Sequence, residues 1–164
     1  VNSNKTQIHR KRISRPMLWL VNNVRVFENA RVLHFGEGRA FLDTQALIDE
    51  GAYVTAYDPY SPAPAQRDDV VIYNYYDYVI AVYVFNALEP GERIQAYSDF
   101  ITAKMGGVGY IALRTDKIAG VPYEDGVITQ KYTFQKSYTP ESAVEEFGGK
   151  VIHKGSGFLI LEIS

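Results

Sequence analysis

The segment from residue 31 to residue 58 limits the fold more than any other part of this sequence. Arg31-Val32-Leu33-His34-Phe35 is an apolar run of strand length, broken at once by Gly36-Glu37-Gly38. Residues 41–50 then place Phe41, Leu42, Ala46 and Leu47 as the inner face of a helix, with Gly51 as its stop. Residues 52–57 read as a second strand, and Asp58 follows it, 20 residues after Gly38. Strand, glycine turn, helix and strand make a right-handed crossover between parallel strands. Glycine permits positive φ and lets backbone approach a ligand closely. An acid closing the second strand accepts hydrogen bonds from ribose hydroxyls, which points to an adenosine-type ligand. The competing reading is a tight turn in a non-binding domain, with Asp58 opening the turn before Pro59.

The rest of the chain continues the alternation. Ser14-Arg15-Pro16 starts a helix carrying Met17, Leu18, Leu20, Val21 and Val24 as its apolar stripe. A short third strand is expected at 70–72, and a strand buried on both faces at 78–82. Residues 90–104 form a helix with Ile94, Tyr97, Phe100 and Ile101 inward, and 108–113 the next strand. The polar stretch 114–137 reads as part hairpin and part mobile loop. A helix capped by Thr139 runs to Phe147, and strands at 150–153 and 158–163 close the chain as a hairpin. The expected architecture is α/β: a doubly wound, mostly parallel sheet with a C-terminal antiparallel hairpin.

Composition narrows the chemistry. The chain has 164 residues and no cysteine, so it has no disulfides, no thiol nucleophile and no cysteine-ligated metal. His9, His34 and His153 lack the spacing of a zinc hydrolase. No apolar run has the length of a membrane span and no signal-peptide core is visible, so a cytoplasmic domain is expected. Charge is uneven: residues 1–16 carry five bases and no acid, while the remainder holds 12 bases against 19 acids, a net −7. We therefore expect a basic arm over 1–15 and a single domain over 16–164. The third glycine of a dinucleotide fingerprint would fall at Phe41, which disfavours a nicotinamide cofactor, and no phosphate-cradling GxxxxGK[ST] is present.

Several segments resemble class I S-adenosylmethionine-dependent methyltransferases. Val32-Leu33-His34-Phe35-Gly36-Glu37-Gly38-Arg39-Ala40 is similar to their first motif, usually VLDxGxGxG, and Val54-Thr55-Ala56-Tyr57-Asp58-Pro59-Tyr60 to their second. Residues 76–88 resemble the FDxVxxxxVLNVL segment of small bacterial and phage methyltransferases, and 107–114 their GGxxYIAxR strand. Thr6, Ile8, Arg10, Ser14 and Pro16 resemble the opening of that group, and 131–135 a GTYQ-like stretch. Its members include proteins associated with DNA phosphorothioation. The resemblance implies a minimal Rossmann-like methyltransferase fold. It also implies S-adenosylmethionine as cofactor, held by His34, Gly36, Glu37, Gly38, Asp58 and Pro59. Two positions depart from the motif: the usual acid is His34, and the last glycine is Ala40.

On this reading Tyr83 and Asn86, after the strand at 78–82, stand beside the transferred methyl group as catalytic candidates. Asn86 either orients an amine or amide acceptor or caps the helix that follows. Arg114 and Gln135 bound the 114–135 segment expected to close over the acceptor, with Arg114 and Lys117 as anion anchors. His34 is either a cofactor contact or a strand histidine satisfied by backbone, and Glu37 either supplies the missing charge or faces solvent. Tyr73, Tyr75, Tyr76, Tyr78 and Tyr83 either stack on a planar ligand or pack the core. The arm either contacts phosphates or is solvated. The [DNS]PP[YFW] motif of exocyclic-amino DNA methyltransferases is absent. The acceptor is a small molecule or a nucleic acid, and the alternative is an inactive relative binding a nucleotide or a partner protein.

Overall fold

The structure is a computed structural model that describes residues 11–24 and 26–164. Thr6, Ile8, His9, Arg10 and most of the basic arm lie outside these residues. Nine strands and four helices are present among the described residues. In chain order they are α1 (Arg15–Asn23), β1 (Arg31–Phe35), α2 (Phe41–Asp49), β2 (Tyr53–Tyr57), β3 (Tyr78–Val82), α3 (Pro90–Lys104) and β4 (Val108–Arg114). There follow β5 (Val121–Tyr123), β6 (Gly126–Ile128), β7 (Phe134–Gln135), α4 (Pro140–Phe147), β8 (Lys150–Gly155) and β9 (Phe158–Ile163).

The main sheet has the order β2-β1-β3-β4-β9-β8, with β2, β1, β3 and β4 parallel and β9 antiparallel between β4 and β8. Successive side chains of a strand point to opposite faces, and here both faces are covered. Leu33, Val79, Ile111 and Leu161 pack towards Phe100 of α3 and Phe147 of α4. Val32, Ile80, Ala112 and Ile160 pack towards Met17 and Leu20 of α1 and Leu47 of α2. Burial on both sides explains why these strands read as continuous apolar runs. The result is the doubly wound, mostly parallel α/β sheet with a terminal hairpin that the sequence predicts. No helix among the described residues is long and apolar enough to cross a membrane.

Five expectations are corrected. Residues 70–72 are not a strand but part of a 3₁₀ turn, Asp69–Tyr73, because the Asp68 carboxylate caps Val70 N at 3.2 Å and Val70 stays 64% exposed. Helix α2 turns Asp43 inward and leaves Phe41 and Leu42 exposed. In α3 the inward position falls to Arg93, while Ile94 is exposed. The 114–137 segment holds a second sheet, β5-β6-β7, rather than one hairpin beside a loop. The turn joining β8 and β9 is also tighter than predicted, reduced to Ser156 and Gly157.

Two polar clusters explain the helical exceptions. Ser14 N and Oγ donate to the two Asp43 oxygens at 2.7 and 2.6 Å, while Ser14 Oγ accepts from Met17 N at 3.3 Å and so caps α1. One buried carboxylate thus joins α1 to α2. Arg93 donates to Leu88 O at 3.0 Å and to Glu146 at 3.0 Å, and it also bonds Asp125 in the β5–β6 turn. Lys136 donates to Asp125 at 2.9 Å. These contacts fasten the small sheet to α3 and α4.

Asp43→Ala leaves two buried donors unpaired, so it should lower stability by about 2–4 kcal/mol in urea denaturation, and Asp43→Asn should cost less. A loss below about 0.5 kcal/mol for the alanine variant, within the range of ordinary surface substitutions, would mean that this contact does not hold the helices together.

Candidate functional site

In the sheet order, β1 has β2 on one side and β3 on the other, so the chain changes direction across the sheet at this point. Loops leaving the carboxyl ends of such strands diverge and open a crevice. The crevice here has a volume of about 550 Å³. One wall is the turn after β1, with Gly36, Glu37 and Gly38, facing Asp58 from the end of β2. The opposite wall brings Tyr83 and Asn86, after β3, beside Arg114 from β4 and Gln135 from β7. Eight of the sequence-predicted site residues therefore meet in one cleft, whereas His34 and Pro59 do not line it. Pro59 is exposed and His34 is buried behind the glycine turn. Lys117 is also outside the cleft.

The glycine turn is a backbone requirement. Gly36 has φ +73° and Gly38 φ +55°. A Cβ on Gly36 would lie 2.3 Å from Val84 Cγ2. Ala40, where the motif usually has its last glycine, has φ −84° and ψ 51° as the N-cap of α2. A negative φ makes no demand for glycine, so alanine fits there without strain.

His34 and Glu37 share one network. His34 Nδ1 lies 2.8 Å from Thr44 Oγ1, and Thr44 Oγ1 donates to Glu37 Oε2. Since that hydroxyl proton goes to Glu37, the ring nitrogen is the donor to Thr44. Gln66 Nε2 donates to Glu37 Oε1. Glu37 is thus turned inward rather than towards solvent, and His34 finds a side-chain partner rather than backbone. Burial holds the His34 ring well below its ordinary 6.5, at about 4, against the opposing pull of Asp43. Burial raises the Glu37 carboxyl, partly offset by the Thr44 and Gln66 bonds. Asp58 is also buried: its Oδ1 accepts from Tyr60 N at 2.9 Å and its own N donates to Gln66 O at 2.8 Å. This end of the cleft therefore presents two buried acidic side chains next to backbone held open by glycine.

The other wall is a directed chain of polar contacts. Arg114 donates to both Asp116 oxygens at 2.9 and 2.6 Å and to Gln135 Oε1 at 3.4 Å. The same Gln135 oxygen accepts from Asn86 Nδ2 at 3.1 Å. Asp116 is held below the usual carboxylate range by the Arg114 hydrogen bond. Tyr83 sits in the left-handed region at φ 57°, an uncommon conformation for a bulky residue and one that collects at ligand sites. The tyrosine cluster divides: Tyr76 is core, Tyr73 and Tyr75 are exposed, and Tyr83 reaches the cleft.

Sequence reasoning missed Arg15, Arg39, Tyr60, Asp116, Ser156 and Gly157, all of which line the cleft. Asp116 was legible as the second residue after a strand-end arginine. Arg15 was absorbed into the count of basic residues in the arm. Ser156 and Gly157 carried no local signal, because the pairing of β9 with β4 brings their turn to this edge.

No protein-family model matches the sequence, and no curated sequence relative matches it. Solved structures do match in fold. A 1,6-didemethyltoxoflavin-N1-methyltransferase from Burkholderia thailandensis, with its substrate and S-adenosylhomocysteine bound, gives a TM-score of 0.62 at 16% identity over 90% of this chain and 76% of that one. The magnesium protoporphyrin IX methyltransferase of Synechocystis, with S-adenosylhomocysteine, gives 0.55 at 15% identity over 90% and 78%. A Rhodobacter sphaeroides chain named as a proposed zinc-dependent alcohol dehydrogenase gives 0.62 at 11% identity over 99% and 97%. At these identities the likeness is one of fold: this chain has the Rossmann-like sheet seen in class I methyltransferases.

The network has a pH signature. Between 6.5 and about 4 the unfolded chain takes up a proton at residue 34 that the folded ring refuses. The unfolded state then binds more protons, and stability on the order of 3 kcal/mol from this ring is lost as pH falls across that window. Glu37, raised in the fold, contributes in the opposite sense. Titration of the His34 ring protons by NMR should give a midpoint near 4. A midpoint near the ordinary value would mean that the ring contacts water.

Proposed function

We propose that this chain is an S-adenosylmethionine-dependent methyltransferase acting on a small-molecule acceptor. The observation that carries the reading is the juxtaposition, across one switch-point cleft, of a glycine turn, a buried acid ending the second strand, and a polar wall after the third. Support also comes from fold neighbours named as methyltransferases and bound to S-adenosylhomocysteine.

The residues fit such a cofactor. Asp58 is a buried carboxylate facing the cleft, suited to a ribose diol, whose two hydroxyl donors match its acceptors. Gly36 and Gly38 keep side chains away from the ligand. Glu37 brings negative charge to the glycine turn, where the motif's usual acid is replaced by His34, and so suits the cationic amino group of the methionine part. His34 acts through Thr44 as a positioning residue for Glu37. When bound, the cofactor supplies an electrophilic methyl group on a sulfonium. The protein aligns an acceptor against it and excludes water, effects that can supply much of the acceleration. Tyr83 and Asn86 flank the acceptor, and Gln135 and Arg114 hold that wall in place.

A small acceptor is supported by the fold neighbours, whose names give small-molecule substrates, and by the engagement of Arg114 on that wall with Asp116. Kinship with the bacterial and phage group associated with phosphorothioation rests on the sequence motifs alone, as does assignment of residues 1–15 to the same functional unit. The dehydrogenase named among the fold neighbours is a weaker guide. No group of three or more His, Cys, Asp or Glu side chains among the described residues is placed to share a metal ion, and the chain has no cysteine.

Calorimetry with S-adenosylmethionine, S-adenosylhomocysteine and NAD tests the reading. Binding of the first two and not the third is expected. Asp58→Ala should weaken that binding by about 1.5–3 kcal/mol, the worth of a charge-assisted hydrogen bond. No binding of either adenosyl compound by the full chain at millimolar concentration would refute the proposal. Binding without methyl transfer to any acceptor would favour an inactive relative.

A further inference from the structure

Asn86 is buried at 1% exposure, yet its Oδ1 has no hydrogen-bond partner among the described residues. A buried acceptor without a donor is costly, so natural folds rarely keep one without a reason. Which end of an amide is oxygen must be settled by its partners, and here the partners settle it. The bidentate Asp116 pair fixes the Arg114 guanidinium, which has donors only. Arg114 Nη1 therefore turns the Gln135 oxygen, not its amide nitrogen, to the shared position. That oxygen can meet Asn86 only through Nδ2, at 3.1 Å. Reversing Asn86 would set two oxygens against each other. The polarity of the chain Asp116–Arg114–Gln135–Asn86 thus leaves Oδ1 as the unsatisfied end, in a residue that lines the cleft.

From this chain we infer that the acceptor is a nitrogen bearing a hydrogen, an amine or amino-heterocycle, whose N–H is taken by Asn86 Oδ1. The inference rests on the methyl-transfer reading and names its substrate class. An amide oxygen accepts a hydrogen bond but is not a base, which suits a nucleophile that attacks with its own lone pair. An aliphatic hydroxyl would need prior deprotonation. On this wall the carboxylate is Asp116, committed to Arg114, and neither described histidine lines the cleft. In the step, the nitrogen lone pair forms the N–CH₃ bond as the S–CH₃ bond of the sulfonium donor breaks. Sulfur keeps that electron pair and becomes a neutral thioether. Nitrogen becomes cationic, and its proton then leaves to water. Asn86 holds the N–H so that the lone pair faces the methyl group, and the accepting oxygen stabilises the positive charge as it develops.

The test uses the full chain saturated with S-adenosylhomocysteine and matched probes: aniline, phenol and N,N-dimethylaniline. In ¹⁵N spectra, aniline should shift the Asn86 side-chain amide resonance and N,N-dimethylaniline should not. With ¹³C-methyl S-adenosylmethionine, label should pass to aniline at least tenfold faster than to phenol. Asn86→Leu, which also gives up the Nδ2 bond to Gln135, should abolish that transfer while the variant still folds with a cooperative thermal transition. The inference is overturned by an equal shift with N,N-dimethylaniline, by no shift with any probe, by faster labelling of phenol, or by undiminished transfer to aniline in the folded Asn86→Leu variant. Failure to bind S-adenosylhomocysteine at all would instead bring down the methyltransferase reading, and this inference with it.

Discussion

The buried carboxylate of Glu37 is the contact on which the cleft depends. Its two oxygens draw in Thr44 from α2 and Gln66 from the loop after β2. Gln66 in turn accepts the backbone N–H of Asp58 through its own carbonyl. The glycine turn, the helix after it and the acid that ends the second strand are therefore set by one side chain. Burial disfavours the charge, and the Thr44 and Gln66 donors offset part of that penalty. His34 belongs to the same network through Thr44, and its own burial keeps the ring neutral. A neutral donor behind Glu37 and a second acid, Asp58, in front of it leave the negative end of the cleft facing the ligand space.

The opposite wall has a different origin. Its side chains come from β4, the turn after β3 and β7, which are far apart in sequence. Backbone contacts join them: Lys136 N donates to Asn86 O at 2.7 Å and Tyr138 N to Arg114 O at 2.8 Å. Behind these contacts the buried Arg93, with Asp125, Glu146 and Lys136, ties the small sheet to α3 and α4. Removing one partner of a buried charge cluster generally costs more than the pair contributes, because the remaining charge is left unpaired. The segment between β4 and α4 is thus fixed as a wall by charge and backbone pairing, although its composition is that of a loop.

Patterned apolar residues made the main sheet legible. Strands β1, β3, β4 and β9 are short continuous apolar runs because helices cover both faces, and glycine marks the turns after β1 and before β4 and β9. The misreadings share a cause. Phe41, Leu42 and Ile94 fit a helical stripe, but Asp43 and Arg93 took the inward positions because each had partners from distant segments. Val70, Val71 and Ile72 fit a strand, but Asp68 capped them locally into a 3₁₀ turn. Periodicity registers hydrophobicity, and it cannot register a polar group whose partners lie tens of residues away.

For the site, local chain pattern was enough to read the glycine turn, Asp58 directly after β2, Tyr83 and Asn86 after β3, and Arg114 at the end of β4. Those follow from local chain geometry, since a parallel sheet delivers every such loop to one edge. That Glu37 faces inward, that His34 stands behind the cleft, and that Asp116, Arg114 and Gln135 orient the Asn86 amide came from contacts between distant segments. The physical reason is that direction in a hydrogen-bond chain depends on which donor meets which acceptor. That is settled by packing between distant segments and not by the order of residues along the chain.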